Sequence, residues 1–324
     1  MQRIKASIGA AVLAALALVS AAAAQEFPAK PVRVVVPFLA GGSVDALARI
    51  LAAKLGEYWA KPVVVENKPG AGGNVGSLSV VTADPDGHTL LFAPLGPLSY
   101  NGALYANMPY DPATAFAHIS LVGSSANFLI VGKDSPYKSL AELIAGAKAA
   151  PGKLNYGSQG NGTTPHLTGA LFVVRAGMDT VHVPYRGFPP LIADIVAGNV
   201  GFMFTDSGNA LPQLRNGQIR VLAVASPERS PLLPEVPTMA QAGVPDFVST
   251  TWYGLAAPAK TPPAIVAKIN ADAVRALKDP EVAGRIGQLG AEIAGTTSAE
   301  ATRILAFETK RWGDIIRQIG VKAE

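Results

Sequence analysis

No cysteine occurs anywhere in the 324 residues. That absence excludes disulfides, thiolate metal sites and lipid attachment through an N-terminal cysteine. An exported chain without disulfides must be held together by its hydrophobic core, so sizeable domains are expected. The sequence also lacks any lysine- or arginine-rich run, which removes the electrostatic footprint of nucleic acid or of an anionic membrane surface. Histidine is confined to His88, His118, His166 and His182, with no close pair at ligand spacing, so no metal is expected. The one long apolar run lies at the start, from Ala6 to Val19, behind Arg3 and Lys5. With Ala22-Ala23-Ala24 as an A-x-A site, residues Met1 to Ala24 read as a secretory signal peptide cleaved before Gln25. The run is shorter than the ~20 residues of a spanning helix, and no later segment approaches one, so direct membrane insertion is not expected. A freely soluble exported protein of this kind fits a periplasm.

About 300 residues remain after such cleavage, which suggests two domains. The formal charge of +4 falls to +2 when Arg3 and Lys5 leave, a nearly balanced surface.

The most informative stretch that is present is Pro37-Phe38-Leu39-Ala40-Gly41-Gly42-Ser43-Val44-Asp45. A buried-type strand, Val32 to Phe38, runs into a glycine pair and then into an amphipathic helix carrying Val44, Leu47, Ala48, Leu51 and Leu55 on one face. Such a unit aims the helix's free N–H groups and positive dipole end at the space above the strand, where an anion is attracted.

Strands and helices alternate along the chain, which implies parallel sheet with helices on both faces and binding at the carboxyl ends of the strands. Strands are expected at Val63–Val65, Thr89–Ala93, Phe128–Val131, Leu154–Gly157, Val181–Val183, Gly201–Phe204, Arg220–Ala225 and Trp252–Ala257. Helices are expected at Ser77–Ala83, Ser139–Ala149, from an N-cap at Thr164 to Gly177, and at Pro190–Ala197. Three more helices end the chain, opened by Thr261-Pro262, by Pro280 and by the capping box Thr297-Ser298-Ala299-Glu300. The last carries Ala301, Ile304, Leu305, Trp312, Ile315, Ile316 and Ile319 on one side, so it docks.

Three strand–loop–helix junctions look equivalent: Phe38–Asp45, Tyr156–His166 and Val183–Pro190. Three such corners favour a cleft lined with N–H groups and hydroxyls. A nucleotide site is not expected. Gly70-Ala71-Gly72-Gly73-Asn74-Val75-Gly76 misses the G-x-G-x-x-G spacing, because Val75 occupies the third glycine's place, and no Walker motif exists. Ser158, His166 or His182, and Asp206 provide the residue types of a hydrolytic triad, but Ser158 lacks the G-x-S-x-G elbow. Asp45 either complements its helix dipole or accepts from a ligand's amino group. Arg186 either meets a ligand carboxylate or is solvated.

The ordered set of segments resembles the Bug-type receptors, the solute-binding proteins of tripartite tricarboxylate transporters. The matching stretches include Pro31 to Gly42, Val65 to Gly73, Ala83 to Gly87, Tyr110-Asp111-Pro112, Pro151 to Ser158, His182 to Gly187 and Val236-Pro237-Thr238. The resemblance implies two doubly wound α/β domains joined by two crossing strands, as in type II periplasmic binding proteins, with the crossings near Asn127 and Trp252. Residues 25–126 plus 252–324 would form one domain and 127–251 the other. It also implies ligands that are small carboxylates (dicarboxylates, acidic amino acids, aromatic acids), held mainly by backbone N–H groups and small polar side chains. Departures from the family pattern are Gly201 and Thr205 where aspartates are usual, with Asp206 one place on, His88 for tyrosine and Lys260 for glycine.

The expectation is a non-enzymatic binding protein that closes around a small organic carboxylate, without cofactor, and is read by membrane transporter subunits or a sensor. A monomer is expected, and no nucleic-acid partner. Phe38, Ala40, Gly41, Gly42 and Asp45 would supply one wall, with Leu95 and Gly96 on the ligand's apolar part. Ser158, Gly160, Thr163, Thr164, His166, Tyr185 and Arg186 would supply the other, beside Thr205 and Asp206. The alternative is a secreted serine hydrolase of carboxylic esters using Ser158.

Overall fold

A computed structural model describes residues 27–323; the expected signal segment lies outside them. One twisted sheet carries the chain, and two strands run through its middle. On one side β1 (Val32–Val36) pairs in parallel with β2 (Val63–Asn67) and β3 (Thr89–Pro94). On the other, β5 (Asn155–Ser158) pairs in parallel with β6 (Val181–Pro184) and β7 (Phe202–Asp206). Between them lie β4 (Phe116–Gly132) and β9 (Thr250–Pro258). The first two-thirds of β4 pair antiparallel with β9, and its last residues pair with β7 and β8 (Ile219–Val224). A short β10 (Glu292–Ile293) joins β4 at Gly123 and Ser124.

Alternation along the strands sends side chains into cores on both faces. Val34 and Val36 of β1 join Leu47, Leu51 and Leu55 of α1 (Ser43–Trp59) and Ile269 and Ala273 of α8 (Pro263–Leu277). Val35, between them, faces a second core with Leu91, Leu305 and Trp312. The far half repeats the pattern. Leu129, Phe202 and Phe204 pack with Leu171 and Phe172 of α5 (Thr164–Ala176). Ile130 and Met203 pack on the other face with Leu191 and Ile195 of α6 (Phe188–Ala197). The remaining helices are α2 (Asn74–Val81), α3 (Leu95–Leu98), α4 (Leu140–Ala149), α7 (Ser207–Arg215), α9 (Pro280–Gln288) and α10 (Ser298–Ile319). None of the described helices is long and apolar enough to cross a membrane.

Polar side chains stitch the two through-strands at the centre. The Asn127 amide donates to the Ser249 carbonyl (3.2 Å) and hydroxyl (2.9 Å), and its oxygen accepts from Thr251 Oγ1 at 3.0 Å. Asn127 and Thr251 are both buried, so these bonds tie β4 to the start of β9.

Three sequence expectations are corrected. The strand expected at Phe128 begins twelve residues earlier, at Phe116. The cap of α5 is Thr163, not Thr164, and its hydroxyl goes to the Gly160 carbonyl at 2.7 Å instead of to the helix. Helix α7 was not anticipated; Asp206 caps it, accepting from the Asn209 N–H at 3.0 Å. The terminal helix α10 has the expected capping box and straddles both halves. Trp312 and Ile316 enter the core under β3, while Ile315 and Ile319 touch the core of the far half.

Candidate functional site

The loops after β1, β2 and β3 of one half and after β5, β6 and β7 of the other open toward one gap, because parallel strands place their carboxyl ends together. A cavity of about 380 Å³ lies there. Phe38 and the loop Pro69–Gly73 form its wall on the first half, with Tyr105 beside them. The second half contributes Gln159, Gly160, Asn161, Pro184, Tyr185 and Arg186.

The opposed loops touch. Tyr105 OH donates to the Asn161 carbonyl at 2.7 Å, and Tyr100 OH lies 3.1 Å from Thr164 Oγ1. Ser43, at the start of α1, donates its hydroxyl to Asp206 Oδ2 at 2.8 Å and its N–H to Asn209 Oδ1 at 2.9 Å. Gly72 sits at φ +59°, and a Cβ there would lie 2.1 Å from the Asn161 oxygen and 2.6 Å from Tyr105 OH. Only a glycine lets these two loops meet.

Several main-chain donors at the gap are free. The N–H groups of Ala71 and Gly72, and across the gap those of Gln159, Asn161 and Arg186, have no acceptor among the described residues. Arg186 is exposed, lines the cavity and forms no ion pair with them.

Asp45 does not line this cavity. Its Oδ2 accepts from the Gly41 N–H (3.2 Å) and Arg49 Nε (3.1 Å), and its Oδ1 from Asn67 Nδ2 (3.0 Å). Burial pushes this carboxyl up, but the bonds from Arg49, Asn67 and Gly41 outweigh it and hold it below the ordinary carboxylate value. Asn67 also donates to the Phe38 carbonyl at 3.1 Å, so one cluster fixes the whole Phe38–Gly42 corner.

Of the anticipated residues, the structure brings Phe38, Gly160, Tyr185 and Arg186 to the cavity wall. Ala40 and Gly41 are exposed on the corner above it, and Gly42 faces Asn209 and Phe188 across the gap. Gly96 is buried, and a Cβ there would approach the Gly162 carbonyl at 2.8 Å. Leu95 is turned into the hydrophobic core with Leu98 and Tyr100. Thr163 and Thr164 are buried with their hydroxyls on Gly160 and Tyr100. Thr205 is fully buried and accepts from Asn209 Nδ2 at 3.2 Å.

The triad types do not assemble. Ser158 Oγ is 2.7 Å from His182 Nε2, but Ser158 has no exposed surface. His166 stacks on His182 with ring centroids 4.0 Å apart and accepts the Gly162 N–H at 3.1 Å through Nδ1. Burial lowers His166 to about 4; burial, with His166 adding, lowers His182 to about 3. Both rings are neutral at pH 7. Asp206, whose burial raises its pKa, is committed to Ser43 and Asn209 and bonds neither histidine. The pair holds the loop; it has no carboxylate to complete a relay.

Pro69–Gly73, Tyr105, Gln159, Asn161 and Pro184 line the cavity without having been anticipated. The glycine loop obeys the same strand–loop–helix grammar as the other corners.

The model of the tripartite tricarboxylate transporter family receptor matches residues 47–321. BugT of Bordetella pertussis is 33% identical over 323 residues, covering 99% of each chain. A Rhodopseudomonas palustris protein solved with adipate is 34% identical with TM-score 0.89, covering 92% of this chain and 99% of that one. MatC from the same organism, solved with bound malate, is 34% identical with TM-score 0.86, covering 90% and 100%.

Proposed function

Because the chain belongs to the tripartite tricarboxylate transporter receptor family, a family of periplasmic solute-binding receptors and not enzymes, we propose that it captures a small organic carboxylate by closing two domains around it. The observation that carries this is that residues with unpaired main-chain donors line one cavity from both sides. Ala71 and Gly72 offer N–H groups from one side; Gln159, Asn161 and the Arg186 backbone and guanidinium offer them from the other. Main-chain N–H dipoles and one cation at the same place suit a carboxylate. Two of the solved relatives hold dicarboxylates, adipate and malate, which is consistent.

The domains in this proposal are 25–126 plus 252–324, and 127–251. Ligand touching both stabilises the shut state by its differential affinity for it. Membrane transporter subunits or a sensor then read the closed form. Export would use the Met1–Ala24 signal, and the receptor would act as a monomer. Of the anticipated residues, Phe38, Gly160, Tyr185 and Arg186 contact the ligand. The corner of Ala40, Gly41, Gly42 and Asp45, and the buried Ser158, Thr163, Thr164, His166, Thr205 and Asp206, hold their loops in place.

The test is thermal denaturation of ligand-stripped protein with succinate, adipate, malate, benzoate and 3-phenylpropionate. A binder is stabilised as RT ln(1 + [L]/Kd), about 2.7 kcal/mol at a hundred times Kd. At least one acid raises the midpoint without being consumed. If none does at millimolar concentration, the carboxylate assignment is wrong.

A further inference from the structure

Tyr105 belongs to no strand-to-helix corner, yet it lines the cavity between the two halves. It follows the short turn Tyr100–Ala103, and the backbone around it is held from two sides. Its own N–H donates to the Asn101 carbonyl at 3.0 Å, and the adjoining Leu104 carbonyl accepts the Ala323 N–H at 3.1 Å. Leu104 and Ala323 are buried in one core, so the segment is seated firmly on its own half. The phenol then donates across the gap to the Asn161 carbonyl at 2.7 Å. That carbonyl and the Gly162 N–H belong to one peptide group, and the N–H donates to His166 Nδ1 at 3.1 Å. A single rigid plane is thus gripped by its own half at the nitrogen and by the opposite half at the oxygen. Glycines on both halves leave room for the ring. A Cβ on Gly72 would lie 2.6 Å from the Tyr105 hydroxyl, and one on Gly162 would lie 3.0 Å from its Cε2. Burial pushes the phenol up to about 12, so it stays a donor at neutral pH.

The Ser43 bond across the gap stands differently. Its acceptor Asp206 pairs with Asn127 of β4, a strand common to both halves, so it has a short lever arm. Asn161 follows β5, which β7 separates from β4. In hinge closure a bond placed there forms as the halves meet and is lost as they part. We infer that Tyr105 is the latch of the receptor: its phenol bonds the Asn161 backbone after the ligand has entered and sets how long the ligand stays. The inference rests on the closure proposed above and not on which acid is held. Tyr105 acts through the loop it grips, so it is a positioning residue.

Tyr105→Phe keeps the ring and deletes only the hydroxyl. Stopped-flow fluorescence follows entry and release of whichever of succinate, adipate, malate, benzoate and 3-phenylpropionate binds. Release is expected to quicken about fivefold, the factor a net hydrogen bond is worth, with entry within about twofold of wild type. A second reading needs no ligand and separates a latch from a ligand contact. Spin labels at Val75→Cys and Val181→Cys, on opposite halves, report the short-distance population of ligand-stripped protein. Tyr105→Phe lowers its ratio to the long-distance population by about the same factor. An unchanged release rate, or an unchanged label distribution, overturns the latch while leaving carboxylate capture intact. If none of the five acids binds wild type, the carboxylate reading falls, and the label distribution alone decides for or against the latch.

Discussion

Gly72 is the residue on which closure bears most directly. Its positive φ suits glycine, but space is the stronger constraint, since a methyl group there overlaps the Asn161 oxygen. Gly72→Ala therefore forces the two loops apart. Left-handed backbone alone costs an alanine about 1 kcal/mol, so the variant still folds. Its affinity for the stabilising carboxylate is expected to fall at least tenfold by calorimetry, with a ligand-free melting midpoint close to wild type. Unchanged affinity means the loops do not meet in the bound state. Arg49, Asp45 and Asn67 act differently. They touch one another and the Phe38–Gly42 backbone, so their contribution to binding is positional.

Between α5 and β6, the stacked His166 and His182 fasten the loop that carries Gln159 and Asn161. Both fold with pKa values below the 6.5 of an unfolded histidine. The unfolded chain thus binds protons first, and stability present above pH 6.5 is lost as pH falls toward 4. At pH 5 the loss is on the order of 2 kcal/mol per histidine. Asp206, raised by burial, works in the opposite direction, so the comparison must be with a variant. Denaturant unfolding at pH 7 and pH 5 should show a smaller drop for His182→Gln than for wild type; equal drops would contradict the account. At this scale the sequence was unevenly legible. Apolar period and capping chemistry revealed α1, α4, α9 and α10, because Leu47, Leu51 and Leu55, or Thr297 and Glu300, act locally. Helix α7 was hidden by Pro212 within it and by Ser207-Gly208-Asn209 at its start, which read as a turn. The first part of β4 was hidden by Gly123-Ser124-Ser125, small residues that suit close passage beside β9 and β10 but carry no strand signature. Which loops face each other was not written in any one segment. Tyr105 reaches Asn161 across 56 residues, and Ser43 reaches Asp206 across 163, distances that only the folded sheet closes.

Two parallel-stranded α/β parts share one sheet through β4 and β9, and the glycine corners Gly70–Gly73 and Gly160 line one gap between them. Across that gap Ser43 bonds Asp206 and Asn209, Tyr105 bonds Asn161, Tyr100 lies against Thr164, and Leu167 of α5 packs among Leu95, Leu98 and Tyr100. Bonds of this kind contribute about 1 kcal/mol each, net. In the proposed mechanism, ligand contacts to both sides add to these and favour the shut form. The absence of native cysteine allows this to be measured with spin labels at two introduced cysteines. Val75 and Val181 are exposed and lie on opposite halves, so Val75→Cys and Val181→Cys carry the labels. Pulsed electron resonance on ligand-stripped protein should give a long or broad distance distribution, which adipate, malate or another stabilising acid collapses to a shorter, narrower one. A distribution that stays the same while calorimetry reports the acid bound would contradict capture by closure.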